Sequence, residues 1–171
     1  MKILVVGSGG REHAIALKLK ENPKVEQIFA APGNGGMAAF CTPVNIKATD
    51  VEGMVAFAKE NGVDFAVVAP DDPLVLGMVD AMEEAGIPSF GPNKAAAIIE
   101  GSKVFSKNLM KKYSIPTAKY ETFASEEEAV AYLKAQNTYP TVVKADGLAL
   151  GKGVLIAKNE QEALDAVHSI M

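Results

Sequence analysis

The chain has 171 residues, which is enough for one full hydrophobic core or for one domain and part of a second. Hydrophobic residues make up 49% and charged residues 22%, as in ordinary globular proteins, and the net charge of −4 argues against a general nucleic-acid-binding surface. The single cysteine excludes an internal disulfide and a cysteine-based metal cluster, and no apolar run reaches the roughly 18 residues of a membrane span. We therefore expect a cytoplasmic protein with neither nucleic acid nor membrane as a partner.

Residues 3–13 predict a strand, a tight turn and the start of a helix. The apolar run 3–6 leads into three closely spaced glycines, among them Gly9 and Gly10, which allow positive φ and a close approach to the backbone. The following helix start offers unpaired N–H groups and the positive end of its dipole, so an anion, most commonly a phosphate, is the expected occupant. Arg11 at the helix start could pair with that phosphate.

A dinucleotide site is the first alternative for this turn. The motif G-x-G-x-x-G or A requires a small residue at position 12, which is Glu12, and an acidic residue at the end of the second strand, which ends in Ala31-Pro32. Both requirements fail, which disfavours a dinucleotide-dependent reductase. A glycine turn that only packs a strand against a helix remains open, but such packing does not require Arg11.

The segment up to residue 92 predicts four further strands that alternate with helices. One helix has Thr49 or Asp50 as its cap and Gly62 at its end, and a later helix ends at Gly86. Five strands with short helical connections predict an α/β fold with a parallel, doubly wound, Rossmann-like sheet. The predicted later strands are 25–31, 43–46, 64–69 and 87–90.

Three unusual loops, 7–11, 32–36 and 70–73, follow the carboxyl ends of predicted strands. Ligands of such sheets bind at that edge, so we expect the three loops to meet around one ligand. Asp71 and Asp72 in the third loop suit sugar hydroxyls or an amine, although adjacent acids also form simple turns.

The pattern changes near residue 100, where we place a domain boundary. Residues 93–112 are helical in character but interrupted at 101–103, residues 117–123 predict a strand, and Ser125 with Glu128 predicts a helix start. The sequence also predicts strands at 141–144 and 154–157 that can pair antiparallel, and a final helix whose apolar side reaches Met171. No glycine, proline or basic last turn, which would typically end a helix, follows these apolar residues, so we interpret the sequence as an N-terminal fragment.

A glycine loop joins the last two predicted strands. It is not a Walker P-loop, because Asp146 stands at the first glycine position and Gly153 at the Ser or Thr position. A strand lysine, Lys144, and a loop lysine, Lys152, instead suit a flap that closes over nucleotide phosphates and neutralises charge during phosphoryl transfer. A plain β-loop with solvated lysines is the alternative.

Taken together, the motifs resemble the amino-terminal part of the glycinamide ribonucleotide synthetase family, the phosphoribosylamine-glycine ligases of the ATP-grasp superfamily. The resemblance covers nearly the whole chain in the family's order. The matching segments are 6–14, 31–34, 70–74, 90–92, 100–103 and 144–153.

The resemblance implies a ligase of purine biosynthesis that makes glycinamide ribonucleotide, ADP and phosphate from ATP, glycine and 5-phosphoribosylamine. It implies a pre-ATP-grasp substrate domain at 1–100 and the beginning of an ATP-grasp domain at 101–171. The substrate-binding residues that it implies are Gly9, Gly10, Arg11, Gly33, Asn34 and Asp71. The ATP-binding residues that it implies are Lys103, Lys144, Gly151, Lys152 and Gly153.

The same resemblance places the catalytic residues and the ligands of Mg²⁺ or Mn²⁺ beyond Met171, so no metal ligand is assigned in this chain and the fragment alone is expected to be inactive. The family more often has Asn at the position of Ser8 and Gly-Pro-Glu at residues 69–71. A sugar-phosphate-binding or regulatory module without ATP chemistry is the alternative from a different class.

Overall fold

The computed structural model describes residues 1–148 and 153–171. The chain divides into two compact units, Met1–Ile98 and Ile99–Met171.

The first unit is built on a five-stranded parallel sheet with the strand order β3-β2-β1-β4-β5. The chain adds strands outward from β1 on one side and then returns to add β4 and β5 on the other. This confirms the predicted doubly wound α/β fold and places a topological switch point between β1 and β4. The strands are β1 (Lys2–Gly7), β2 (Gln27–Pro32), β3 (Thr42–Pro43), β4 (Phe65–Val68) and β5 (Ser89–Phe90).

Helices cover both faces of this sheet. Alternate residues of β1 point to opposite faces, and Leu4, Val5 and Val6 are all fully buried. Ala16 of α1 packs with Val5 on one face, whereas Met54 of α2 belongs with Leu4 to the core of the other. The helices of this unit are α1 (Gly10–Lys20), α2 (Val51–Glu60), α3 (Asp71–Leu76) and α4 (Met78–Glu84), with a short 3₁₀ helix at Met37–Ala39.

Two local predictions in this unit were wrong. The segment that follows Pro70 is the first turn of α3 and not an open turn, because Pro70 has the extended conformation of a cap and Pro73 needs no N–H in the first helical turn. The helix that was predicted to end at Gly86 is broken at Gly77, whose φ of +92° lies in the left-handed region.

In the second unit, the predicted helix interruption and the antiparallel strand pair are confirmed. Ser102 separates two helices, and the pair of strands runs in register from Thr141 opposite Ala157 to Lys144 opposite Val154. The Ser125 hydroxyl accepts the Glu128 N–H at 3.3 Å, as the capping pattern predicts. The elements are α5 (Lys94–Gly101), which crosses the division between the units, α6 (Lys103–Lys112), α7 (Glu126–Gln136), β6 (Thr141–Lys144), β7 (Val154–Ala157) and α8 (Glu160–Ile170).

The predicted strand at 117–123 does not form. A strand requires a paired backbone neighbour, and this segment instead bonds to side chains of α6. The ammonium of Lys107 donates to the Thr117 hydroxyl at 2.6 Å and to the Ala118 carbonyl oxygen at 3.2 Å, and the Tyr120 hydroxyl donates to Asn108 at 3.2 Å.

Within residues 1–148 and 153–171, none of the helices has both the length and the apolar character that crossing a membrane requires.

Candidate functional site

The loops that follow β1, β2 and β4 meet at the carboxyl edge of the first unit's sheet. The Gly33 N–H donates to the Gly7 carbonyl oxygen at 3.1 Å, and the Asn34 side-chain amide donates to the Ser8 carbonyl oxygen at 2.9 Å. Pro70, which follows β4, packs closely against Gly7. A Cβ added to Gly7 would lie 2.7 Å from the Cγ atom of Pro70. The structure thus brings the three loops of the sequence prediction together.

Gly7 is required at the point where the loops touch. Its φ is +123°, a conformation that strains any other residue, and the added Cβ would also lie 2.7 Å from Glu12 Cγ. The close approach that the sequence predicted at this glycine is therefore an approach to the protein's own side chains.

Gly10, unlike Gly7, has open space where a side chain would lie. A Cβ added to it would find no atom within 4 Å, so the first turn of α1 opens onto free space. The N–H groups of Gly10 and Arg11 lie in that turn, where an α-helix supplies no acceptor. An open first turn of a helix is a common place for an anion to bind.

Glu12 is the feature of this turn that sequence reasoning missed. The residue is buried, with 3% exposure, and both carboxylate oxygens have donors. Oε2 accepts the Gly9 N–H at 2.7 Å, and Oε1 accepts the Nε–H of Arg11 at 3.0 Å. The available signal was the spacing, since an acid three residues after a helix cap returns to the N–H of that cap.

Arg11 lies between two carboxylates and remains accessible, with 57% of its side chain exposed. Its Nη1 is 3.9 Å from Oδ1 of Asp71, which brings two of the predicted substrate-binding residues together. The hydrogen bond to Glu12, with the charges of Glu12 and Asp71, raises the pKa of Arg11 against the opposing effect of burial. Arg11 is thus a permanent cation that is hydrogen-bonded to Glu12 at its Nε edge and lies near Asp71 at Nη1, while most of its side chain stays exposed.

Gly33 and Asn34 shape the loop after β2. Gly33 has a φ of +71° and follows the cis peptide bond between Ala31 and Pro32. Besides the bond to Ser8, Asn34 accepts the Met37 N–H through Oδ1 at 3.1 Å. The Asn34 amide thus joins the loop after β1 to the start of the 3₁₀ helix that follows its own loop, so it orients the site whether or not it also touches a ligand.

A shallow cleft of about 480 Å³ opens beside these loops, at the carboxyl ends of β4 and β5. Arg11 supplies a charged group on a wall that is otherwise mostly apolar. Apolar members of the lining are Ile15, Val68, Leu74, Phe90 and Pro92.

In the second unit, the loop after β6 is fixed to the N-terminus of α6. Asp146 accepts the Val104 N–H at 3.2 Å and the Ser102 hydroxyl at 3.0 Å, and the Lys103 ammonium donates to the Gly147 carbonyl oxygen. Desolvation acts to raise the pKa of Asp146, but hydrogen bonds from Val104, Gly147, Ser102 and Lys103 outweigh it and lower the pKa. Asp146 is therefore a charged cap on a helix start.

The other predicted ATP-binding residues lie at the neck of the same loop. Lys144 ends β6 with an exposed side chain, and the Ala145 N–H donates to the carbonyl oxygen of buried Gly153 at 2.9 Å. Gly151 and Lys152 lie outside the described residues. In the part of the chain that the structure describes, no group of three or more His, Cys, Asp or Glu side chains could hold a metal ion.

Two family models match the chain from end to end. The model described as "Phosphoribosylglycinamide synthetase, N domain" matches residues 1–100, and that described as "Phosphoribosylglycinamide synthetase, ATP-grasp (A) domain" matches residues 101–171.

Curated relatives agree with these matches. The phosphoribosylamine–glycine ligase from Vibrio parahaemolyticus is 50% identical to this chain over the chain's whole length, and that from Allochromatium vinosum is 52% identical. The chain spans 40% of the length of each of these relatives.

Solved structures share the fold. The crystal structure of a phosphoribosylamine–glycine ligase from Thermotoga maritima matches with a TM-score of 0.74 and 31% identity, over 96% of this chain and 38% of that one. The biotin carboxylase domain of 2-oxoglutarate carboxylase from Hydrogenobacter thermophilus matches with a TM-score of 0.78 and 23% identity, over 99% of this chain and 40% of that one. At that identity, the second match shows the fold alone.

Proposed function

The chain belongs to the phosphoribosylglycinamide synthetase family, and from this premise we propose that it is the amino-terminal part of a ligase that joins glycine to 5-phosphoribosylamine with the use of ATP. The observation that supports this most is the identity of about one half to phosphoribosylamine–glycine ligases over the whole chain. The products are glycinamide ribonucleotide, ADP and phosphate. The proposed enzyme is cytoplasmic, and the remainder of its polypeptide supplies the residues that complete the active site.

The first unit binds the phosphoribosyl substrate in this proposal. The N–H groups of Gly10 and Arg11 and the open edge of the Arg11 guanidinium receive the phosphate, while Asp71 faces the amine end. The helix start supplies partial positive charge without a mobile counterion, and the guanidinium adds directional hydrogen bonds. Gly9, Gly33 and Asn34 contribute by fixing the loops around that phosphate.

Two chemical steps follow. The glycine carboxylate attacks the terminal phosphorus of ATP, which forms an acyl phosphate and releases ADP. The amine of phosphoribosylamine then attacks the acyl carbon, so that a C–N bond forms, the bond to phosphate breaks and a proton leaves the nitrogen. Lys103 and Lys144, with the loop residues Gly151–Gly153, are proposed to bind the phosphates of ATP and to offset the charge that develops there.

A divalent ion is expected to accompany ATP in such an enzyme. The described residues contain no cluster that fits the ion. As the resemblance to the family implies, we propose that its ligands and the catalytic residues lie in the part of the relatives that this chain does not span.

We also propose that residues 1–100 and 101–171 act as separate domains, a substrate domain and the beginning of an ATP-grasp domain. The two family-model matches divide the chain at this point, and the first compact unit of the structure ends at Ile98.

The test is an assay of ADP release by the full-length protein that contains this chain. Release should require ATP, glycine and phosphoribosylamine together. Arg11→Ala should raise the KM for phosphoribosylamine about ten- to a hundredfold, the value of one charge-assisted contact, with little change in the KM for ATP. Lys144→Ala should instead raise the KM for ATP, with little change in the KM for phosphoribosylamine.

Matched controls come from the same elements. Lys18→Ala on α1 and Lys158→Ala, which follows the far end of β7, should leave both KM values unchanged. A full-length protein that binds ribose 5-phosphate but releases no ADP would instead be a sugar-phosphate-binding module. One that is stabilised by NADH or NADPH but not by ribose 5-phosphate would contradict the proposal entirely.

A further inference from the structure

We propose that Glu12 is a positioning residue for the phosphate site. Its buried carboxylate sets the direction of the Arg11 guanidinium and thereby increases affinity for a sugar phosphate, although its own charge opposes an anion. The inference rests on the proposed function, because it requires a phosphate at the start of α1.

The carboxylate joins two parts of the site. One oxygen holds the Gly9 N–H at 2.7 Å, and the other holds the Nε–H of Arg11 at 3.0 Å. Glu12 is 3% exposed and both of its carboxylate oxygens are hydrogen-bonded, so the group is held in place. Because this acceptor is fixed, it determines the direction in which the Nε–H group of Arg11 points.

This contact uses only the Nε edge of the guanidinium, and the outer nitrogens, of which Nη1 lies 3.9 Å from Oδ1 of Asp71, can face a ligand. Arg11 is otherwise an exposed, flexible side chain that would lose rotamer entropy on binding. A guanidinium presents its donors in one rigid plane, so fixing the Nε edge also fixes the direction of the outer N–H groups. Because Glu12 already orders the Arg11 side chain in the folded protein, ligand binding does not have to supply the free energy for that ordering.

Electrostatics alone predicts the reverse. A carboxylate beside a phosphate site repels the phosphate, so neutralising Glu12 should strengthen binding if its charge were the only effect. Positioning predicts that the same change weakens binding. The sign of the change therefore separates the two explanations.

The probe is ribose 5-phosphate, a stable analogue of the substrate, with binding to the full-length protein measured by titration calorimetry at pH 7.5. Glu12→Gln preserves the shape of the side chain but turns an N–H₂ group toward one of the two donors. We expect binding about tenfold weaker, a raised KM for phosphoribosylamine, and an unchanged KM for ATP.

A double-mutant cycle locates the effect. In an Arg11→Ala background, Glu12→Gln should leave binding unchanged or make it tighter, because only the repulsion remains to be removed. If the loss of affinity persists in that background, or if Glu12→Gln alone does not weaken binding, the positioning role is wrong. Glu60→Gln, a change at an exposed acid in the last turn of α2 and outside the three loops, is the control and should change affinity less than twofold.

A second variant covers the case in which Glu12→Gln does not fold. Glu12→Asp keeps the charge but is one methylene too short to reach both donors, so repulsion predicts no change and positioning predicts weaker binding. Wild-type protein that does not bind ribose 5-phosphate would overturn the proposed function and this inference together. Wild-type binding that neither variant weakens would overturn the inference alone.

Discussion

The side-chain amide of Asn34 donates a 2.9 Å hydrogen bond to the carbonyl oxygen of Ser8 and so ties the loop after β2 to the loop after β1. The same side chain accepts the Met37 N–H at 3.1 Å. The residue that the resemblance assigns to substrate binding is therefore also part of the framework of the loops.

Asn34→Ala should lower the free energy of unfolding by about 1–3 kcal/mol, because it removes two hydrogen bonds and leaves polar backbone groups without them. Urea unfolding followed by far-UV circular dichroism measures this. Asn22→Ala is the matched control, since Asn22 accepts one exposed backbone N–H, from Lys24 at 3.0 Å. An equal loss in both variants would contradict the bridging role of Asn34.

Gly10→Ala should weaken the binding of ribose 5-phosphate without lowering the stability of the protein. The new methyl meets no atom within 4 Å, and alanine is the better helix former by about 1 kcal/mol, so the protein should be as stable as wild type or more stable. The methyl would project into the space proposed for the phosphate, so affinity for ribose 5-phosphate should fall.

Gly7→Ala provides the contrast. Its methyl would lie 2.7 Å from Pro70 and from Glu12, at a φ of +123°, so the variant should lose well over 1 kcal/mol of stability. Thermal unfolding and calorimetric titration of both variants give the comparison. A Gly10→Ala protein that binds normally would remove the phosphate from this turn.

Asp146→Asn should destabilise the protein at neutral pH and less so in acid. The folded-state pKa of Asp146 is lowered, so its charged form contributes stability above the unfolded-state pKa, about 3.9, and this contribution is lost as pH falls through the folded-state pKa. Urea unfolding between pH 7 and pH 3 should therefore show a difference between wild type and variant that shrinks below about pH 4. Asp165→Asn on α8 controls for the general loss of one carboxylate, and a difference that grows toward acid would contradict the capping role.

Cys41 should react slowly with thiol reagents in the folded protein. Burial raises the pKa of the thiol, against a smaller opposing effect of Lys20, and the side chain is 7% exposed. Little thiolate therefore exists at pH 8, and little of it can be reached. Absorbance of released thionitrobenzoate should rise slowly in buffer and rapidly in urea, and equal rates would show that the first unit opens readily around β2 and the 3₁₀ helix.

Local signals in the sequence predicted local structure well. Asp50 caps α2 by accepting the Gly53 N–H at 2.9 Å, and Gly62 has the left-handed φ of a helix end, as their positions indicated. These features depend on residues within one turn of each other, which a sequence displays directly.

Predictions that depend on distant partners were weaker. The alternation at 117–123 resembles a strand, but no neighbouring backbone pairs with it in the described chain, and Lys107 holds part of it instead. The contact of Asp146 with Ser102 joins residues 44 positions apart, and no local pattern indicates it. Glu12 was predictable in part, since the spacing to Gly9 indicates the cap but not the bond to Arg11.

The packing of Gly7 against both Glu12 and Pro70 also limits how this sequence can change over time. Any side chain at position 7 would need room from positions 12 and 70 at once, so the three positions should be strongly epistatic. Smaller side chains at positions 12 and 70 would relieve the clash of a new residue at position 7 but not the backbone strain of a φ of +123°, so position 7 should keep glycine. Libraries that retain Gly7 and randomise positions 12 and 70 together are the place to look for altered ligand preference.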